Sequence, residues 1–261
     1  MFNLKRFAAA AAMIALVAGA AEAQNKDWST IRIGVDATYP PFESVDAAGN
    51  MQGFSIEIAQ ALCDRMKAKC EFMNQDWEGI IPALQANKFD AIVSSMSITE
   101  ERKQQVEFTD KYYHTPPAVA VPKDSELKGI TPEDLAGATI GAQNSTIHAN
   151  YIQEILKESE LKAYPSADEY KLDLQNGRLD AAIDDVVVLD TWLKSPEGAC
   201  CKMLGTIKQI PAIHGEGAGI ALRKEDTQLR DMFNKALAEI RADGTYKRIN
   251  DKYFAFDVHG S

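Results

Sequence analysis

The nine residues Ser94-Ser95-Met96-Ser97-Ile98-Thr99-Glu100-Glu101-Arg102 bring together the groups that bind a carboxylate. They follow the apolar run Phe89-Asp90-Ala91-Ile92-Val93, which is short and β-branched at its end and reads as a buried strand. Three serine hydroxyls come next, then a helix start. Ser97 and Glu100 have capping-box spacing, Thr99 is a second candidate cap, and Glu100 and Glu101 suit the positive end of a helix dipole. Arg102 falls in that first turn, so its guanidinium can reach back over the strand end. Hydroxyls, exposed backbone N–H groups and a forked cation at one strand end make a carboxylate site. The same residues also fit a capped helix carrying a surface arginine.

The elements that must position this segment alternate between strand and helix, the pattern of an α/β protein with mainly parallel sheets. Strands are expected at 31–35, ending at Asp36, from 71, into Ser94 and at 118–121, and helices at 54–66, 78–86 and 100–106. A second unit then begins. Thr131-Pro132-Glu133-Asp134 opens a helix with a cap and a proline at its first position. A strand at 138–142 leads through Gln143-Asn144-Ser145-Thr146 into a helix from 147. Ser166 and Glu169 have capping-box spacing for a helix that stops at Asn176-Gly177. A strand at 179–183 ends at Asp184-Asp185, a buried helix covers 186–193, a strand returns over 215–221, and a long amphipathic helix covers 227–242. Two half-sized α/β units imply two lobes with a cleft between them. Ligands of open α/β sheets sit at the carboxyl ends of strands, and Asp36, Ser94 to Ser97, Gln143 to Thr146 and Asp184-Asp185 all fall there.

The chain opens with a leader. Lys5 and Arg6 are followed by an apolar stretch over 7–20 and by Ala21-Glu22-Ala23, an A-x-A cleavage signal, so residues 1–23 read as a signal peptide and export is expected. The stretch is short for a membrane span, and no cysteine follows it to carry a lipid. Without Lys5, Arg6 and Glu22 the chain keeps 26 basic and 37 acidic residues, a net charge of −11. Such a surface argues against nucleic acid or anionic membrane as partner. Cys63 and Cys70 read as a disulfide tying a helix end to the next strand. The adjacent Cys200 and Cys201 leave a strained bridge, two thiols or a labile redox state open. Neither pair has zinc spacing and the four histidines do not cluster, so no metal or cofactor is expected, and His114, His148, His214 and His259 read as surface or packing residues.

A zwitterionic amino acid needs, beside the carboxylate site, an anion for its ammonium, apolar walls for its side chain and a group that reads its far end. Asp185 can be the ammonium partner, or simply cap the helix it begins; Asp184 can exchange roles with it. Tyr39 and Trp77 are aromatic rings in loops, available to stack on a ligand.

Here the chain resembles the bacterial extracellular solute-binding family 3, in particular the lysine/arginine/ornithine- and histidine-binding proteins of ABC importers. The likeness spans the chain after the leader. It rests on Arg32-Ile33-Gly34-Val35-Asp36-Ala37-Thr38-Tyr39-Pro40-Pro41-Phe42, on Gly53-Phe54, on the Cys63 to Cys70 spacing, and on Gly79-Ile80-Ile81-Pro82-Ala83-Leu84. It continues through Ser94 to Arg102, Gly177-Arg178-Leu179-Asp180-Ala181, Asp243-Gly244-Thr245-Tyr246 and Lys252-Tyr253-Phe254. The resemblance implies the two-lobed type II periplasmic-binding-protein fold, each lobe a mainly parallel sheet flanked by helices. Residues 24–114 with 211–261 would form lobe 1 and 115–210 lobe 2, joined by a two-segment hinge near Thr115 and Ile210. It also implies that Arg102 clamps the α-carboxylate within a cradle completed by Ser95, Ser97 and Thr146. Asp185, helped by Ser95, takes the α-ammonium, Tyr39 and Trp77 sandwich the side-chain stem, and Asp36 reaches its polar end. Ser94, Asn144 and Ser145 complete the expected binding set. Departures from the family pattern are Ser55 after Gly53-Phe54, where basic-amino-acid binders often carry an acid, Asn144 where glycine is usual, and Ile147 where a polar residue is frequent.

The implied protein is a periplasmic, monomeric binder that closes on a free L-amino acid, basic by preference, and hands it to a membrane permease. Glutamine or an arginine-derived opine is the alternative ligand. A prephenate-type dehydratase on the same scaffold is the alternative class, and would need a general acid where a binder needs an ammonium acceptor. A sensory partner would use the same pocket.

Overall fold

A computed structural model describes residues 26–260 of the chain; the expected leader at 1–23 lies outside the described residues. Two five-stranded mixed sheets organise the molecule. In the first, Thr30–Val35 lies parallel to Lys69–Asn74 on one side and to Ala91–Ile92 on the other, and Ala221–Leu222 then runs antiparallel to both Ala91–Ile92 and Glu107–Phe108. In the second, Thr139–Gln143 lies parallel to Glu160–Tyr164 and to Ala181–Asp185, and Pro117–Pro122 runs antiparallel to Ala181–Asp185 and Cys201–Thr206. The chain crosses from the first sheet to the second between Phe108 and Pro117 and returns between Thr206 and Ala221.

Each sheet is buried by helices because its strands are apolar on both faces. Ile31, Ile33 and Val35 are fully buried with Phe54, Ile58 and Leu62 of the helix Phe54–Met66 and with Leu229 and Phe233 of the helix Thr227–Ala242. In the second unit Ile140, Ala142, Ala181 and Ile183 pack with Ala149 and Ile152 of the helix Ile147–Ile155. Cys63 and Cys70 form a disulfide between the helix Phe54–Met66 and the strand Lys69–Asn74. Cys200 and Cys201 are both free thiols.

Several local expectations change. The segment from Thr131 is a turn: Asp134 accepts from the Thr131 amide at 3.2 Å and hydroxyl at 2.9 Å, and Gly137 turns left-handed at φ 78, leaving too few residues to propagate a helix. The helix after Thr99 is only Glu100–Lys103, because Val106 and Phe108 are drawn into the buried sheet edge. Over 215–221 the positive φ of Gly215 and Gly217 interrupts extension, so only Ala221–Leu222 joins the sheet and Ala218 makes single bridges to Ser97 and Tyr113.

A three-stranded meander, Thr38–Tyr39, Glu43–Val45 and Met51–Gln52, follows the first strand. It is clamped to the next helix: the amides of Phe54 and Ser55 donate to the carbonyls of Pro41 and Phe42 at 3.0 and 2.9 Å. Gly53 permits this approach, since its φ is 123 and a Cβ there would lie 2.3 Å from the Phe42 carbonyl oxygen.

Candidate functional site

The carboxyl ends of four strands converge on one cavity walled by residues of both sheets. The strand Thr30–Val35 delivers Asp36, whose amide donates to Ser94 Oγ at 2.8 Å, and the strand Ala91–Ile92 leads into Ser94, Ser95 and Ser97. From the second sheet, Thr139–Gln143 delivers Gln143, Thr146 and His148, and Ala181–Asp185 delivers Asp184. Tyr39, Glu43, Trp77, Arg102 and Ile147 complete the wall.

Arg102 sits where the first helical turn puts it. Thr99, not Ser97, is the cap: its hydroxyl accepts from the Arg102 amide at 3.2 Å. The guanidinium donates to the carbonyls of Ser97 at 3.0 Å and Ser145 at 3.1 Å and lies 5.1 Å from the centre of the Trp77 ring. No carboxylate lies within ion-pair distance of it among the described residues. Removal from water lowers its pKa to about 10, so it stays charged at neutral pH.

Acids line the rest of the cavity. Asp36 Oδ1 accepts from Thr38 Oγ1 at 2.9 Å and Oδ2 from Gln143 Nε2 at 2.9 Å; burial raises its pKa against the pull of these two bonds. Glu43 is fully buried, and burial outweighs the Ser95 and Ser55 hydroxyls to push it up to about 8. Asp184 is crowded by donors: the hydroxyls of Tyr39 and Tyr170, its neighbour's amide at 2.7 Å, and His148 Nε2 at 3.1 Å. Burial works to raise Asp184, but His148, Lys171 and Tyr170 together hold it below the ordinary carboxylate range.

The structure thus gathers Asp36, Tyr39, Trp77, Ser94, Ser95, Ser97, Arg102 and Thr146 around one cavity. Asp185 faces an adjoining recess that shares Tyr39, Ser95, Ser97, Ile147 and His148 with it. Its carboxylate caps the helix Val186–Leu193 through the Val187 amide at 2.8 Å and accepts from Thr115, and burial raises its pKa to about 6. Asn144 and Ser145 line a larger crevice on the other side of Trp77 and Arg102; the Asn144 side chain bonds Glu78, and the Ser145 carbonyl also accepts from Trp77 Nε1 at 3.2 Å. Thr146 lines the cavity with its hydroxyl committed, donating to the Gln143 carbonyl at 2.7 Å and accepting from the Ala149 amide at 3.2 Å.

Glu43, Gln143, Ile147, His148 and Asp184 complete the wall and were outside the expected set. His148 is buried in the cavity wall, not a plain packing residue. Asp184 had a signal, its place beside Asp185 at a strand end. For Glu43 the only hint was its closeness to Tyr39 in a turn-rich segment. A cavity with a cation at one side and several acids around the rest is built for a small molecule carrying both signs of charge.

Known proteins share this arrangement of chain. A profile described as bacterial extracellular solute-binding proteins, family 3, matches residues 31–256. The Histidine-binding periplasmic protein of Escherichia coli (strain K12) is 42% identical over 233 residues, 88% of this chain and 89% of that protein. The L-arginine-binding protein of Pseudomonas aeruginosa is 43% identical over 234 residues, 88% of this chain and 90% of that protein. Among solved structures, an ancestral arginine-binding protein bound to arginine superposes with a TM-score of 0.81 at 36% identity, covering 87% of this chain and 99% of that one. The shared fold is the type II periplasmic-binding-protein fold. By sequence and by structure, the chain belongs to the bacterial extracellular solute-binding proteins, family 3.

Proposed function

We propose that this protein is the periplasmic solute-binding component of an ABC importer, exported by its first 23 residues and acting as a monomer. Its ligand is a free L-amino acid with a cationic side chain, arginine, ornithine or lysine ahead of histidine. The observation that carries the reading is the polarity of the cavity: Arg102, without a carboxylate partner among the described residues, faces a wall containing Asp36, Glu43 and Asp184. The Arg102 fork takes the α-carboxylate, with Ser95 and Ser97 beside it. Asp185 takes the α-ammonium through the recess it shares with Ser95. Tyr39 and Trp77 flank the aliphatic stem, and Asp36 meets the polar end.

The named relatives bind histidine and arginine, which supports a basic ligand. The named relatives are binding proteins, which favours binding over catalysis. The crossings at 109–116 and 207–220 serve as the hinge, dividing residues 24–114 with 211–261 from residues 115–210. Closure brings both halves onto the ligand, and only a ligand touching both favours the closed form. That form is what the permease recognises. Glutamine is the second reading, favoured by the two hydrogen bonds and the raised pKa of Asp36, which suit a neutral polar end.

The test is thermal unfolding of the exported protein, freed of co-purified ligand, against each common amino acid. A ligand at a hundredfold excess over its Kd adds about 2.7 kcal/mol. Arginine, ornithine or lysine should give the largest shift; acidic or apolar amino acids giving it would overturn the reading.

A further inference from the structure

Glu43 lines the cavity, yet none of the roles above uses it. It is fully buried, and neither carboxyl oxygen accepts a well-formed hydrogen bond; the hydroxyls of Ser95 and Ser55 only lie close to it. Buried polar groups are nearly always paired, and an unpaired one is costly. The meander that carries Glu43 is clamped to the helix Phe54–Met66 through Pro41 and Phe42, which holds the acid in place.

The groups facing it come from every neighbouring element. Asp36 arrives from the end of the strand Thr30–Val35, Ser55 from the helix, Tyr112 and Tyr113 from the crossing before Pro117, and Asp185 from the second sheet. Arg102, His148, Asp184 and Tyr39 share the cavity. Burial above all, with the like charges of Asp36 and Asp185, favours the neutral acid, near pH 8 and below.

Resting on the basic-amino-acid reading, we propose that Glu43 receives the ligand's side-chain cation and gives up its proton as that cation arrives. The O–H bond of the neutral acid breaks, the proton passes to the buffer, and the carboxylate pairs with the cation, so charge in the cavity is conserved. The side-chain cation is the fitting partner because the α-ammonium has Asp185 and because Asp36 already spends an acceptor site on each of Thr38 and Gln143. Neither Glu43 oxygen accepts a well-formed bond, and a two-oxygen acceptor matches the guanidinium fork of arginine better than a single ammonium point charge.

Titration calorimetry tests this at pH 7.5 in phosphate and in Tris, with arginine and glutamine as probes. Arginine binding should release about 0.8 proton to the buffer, and glutamine binding should release none. Glu43→Gln should abolish the release and weaken arginine about tenfold more than glutamine, while Glu43→Asp should restore part of it. If Glu43→Gln fails to fold, the difference between the two probes on the unaltered protein decides the matter. Equal proton exchange for both probes, or an unchanged preference in Glu43→Gln, overturns the role of Glu43 while leaving the basic-amino-acid reading intact. Absence of any arginine or lysine binding overturns that reading itself.

Discussion

The side-chain amide of Gln143 donates to Asp36 Oδ2 at 2.9 Å, tying the end of a strand in the second sheet to the end of a strand in the first. Gln143 also donates to the Pro165 carbonyl at 3.0 Å, so the amide is held by its own unit while it grips the other. The acid expected to read the ligand's far end is therefore oriented by both halves of the molecule.

Replacing Asp36 with asparagine keeps much of that geometry and removes the charge. Arginine and lysine should lose about 2 kcal/mol or more of binding free energy, since their cation would face a buried amide. Glutamine should lose much less. Isothermal titration of the three amino acids against Asp36→Asn checks this, and equal losses for all three would remove Asp36 from the reading of charge.

Arg102→Ala should act at the other end of the proposed ligand. It should weaken every amino acid alike, by roughly 2–5 kcal/mol, because each presents the same α-carboxylate. Fluorescence of Trp77, which stacks beside the guanidinium, follows the titration. An unaltered affinity would place the carboxylate elsewhere.

Glu43 and Asp185 also set a dependence of stability on pH. In the folded protein they are held at about 8 and about 6, above the ordinary 4.5 and 3.8. The folded state thus keeps protons that the unfolded chain has released, and their contribution to stability falls as pH rises, from 3.8 to about 6 for Asp185 and from 4.5 to about 8 for Glu43. In ligand-free protein, Glu43→Gln should melt close to the unaltered protein at pH 4.5 and progressively above it toward pH 8. Thermal unfolding across that range measures the gap, and a constant gap contradicts a buried acid at this position.

The Cys63–Cys70 disulfide closes a short loop, with a sequence separation of 7. Changing both to serine should cost about 2 kcal/mol by the chain-entropy account. The loss should appear in denaturant midpoint with little change in ligand affinity, since neither cysteine borders the cavity. A lost affinity would mean that the helix Phe54–Met66 shifts and carries the clamped meander with it.

The stretch of cavity wall from Ser94 to Arg102 was legible because it is local. A strand end, three serines and a first-turn arginine lie within nine residues, and short-range geometry fixes their relation. Even there the competition between Ser97 and Thr99 for the cap was decided from afar, by the pairing of Ser97 with Ala218. Glu43 was illegible for a related reason. A glutamate in a turn-rich segment is ordinarily solvated, and only groups distant in sequence, Ser55, Ser95, Tyr112 and Tyr113 among them, enclose this one. His148 looked like any helix histidine until Asp184, on the neighbouring strand, came within 3.1 Å. The helix expected at Thr131 failed because its signals were sound but its length was not.

At the seam between the two halves, the hydrogen bonds from Trp77 and Arg102 end on a peptide oxygen, that of Ser145, whose φ is 56. Mutational tolerance at that position should therefore follow backbone shape and ignore side-chain chemistry. Glycine or asparagine, at home in left-handed geometry, can keep the oxygen where both donors find it, whereas valine or isoleucine would swing it away.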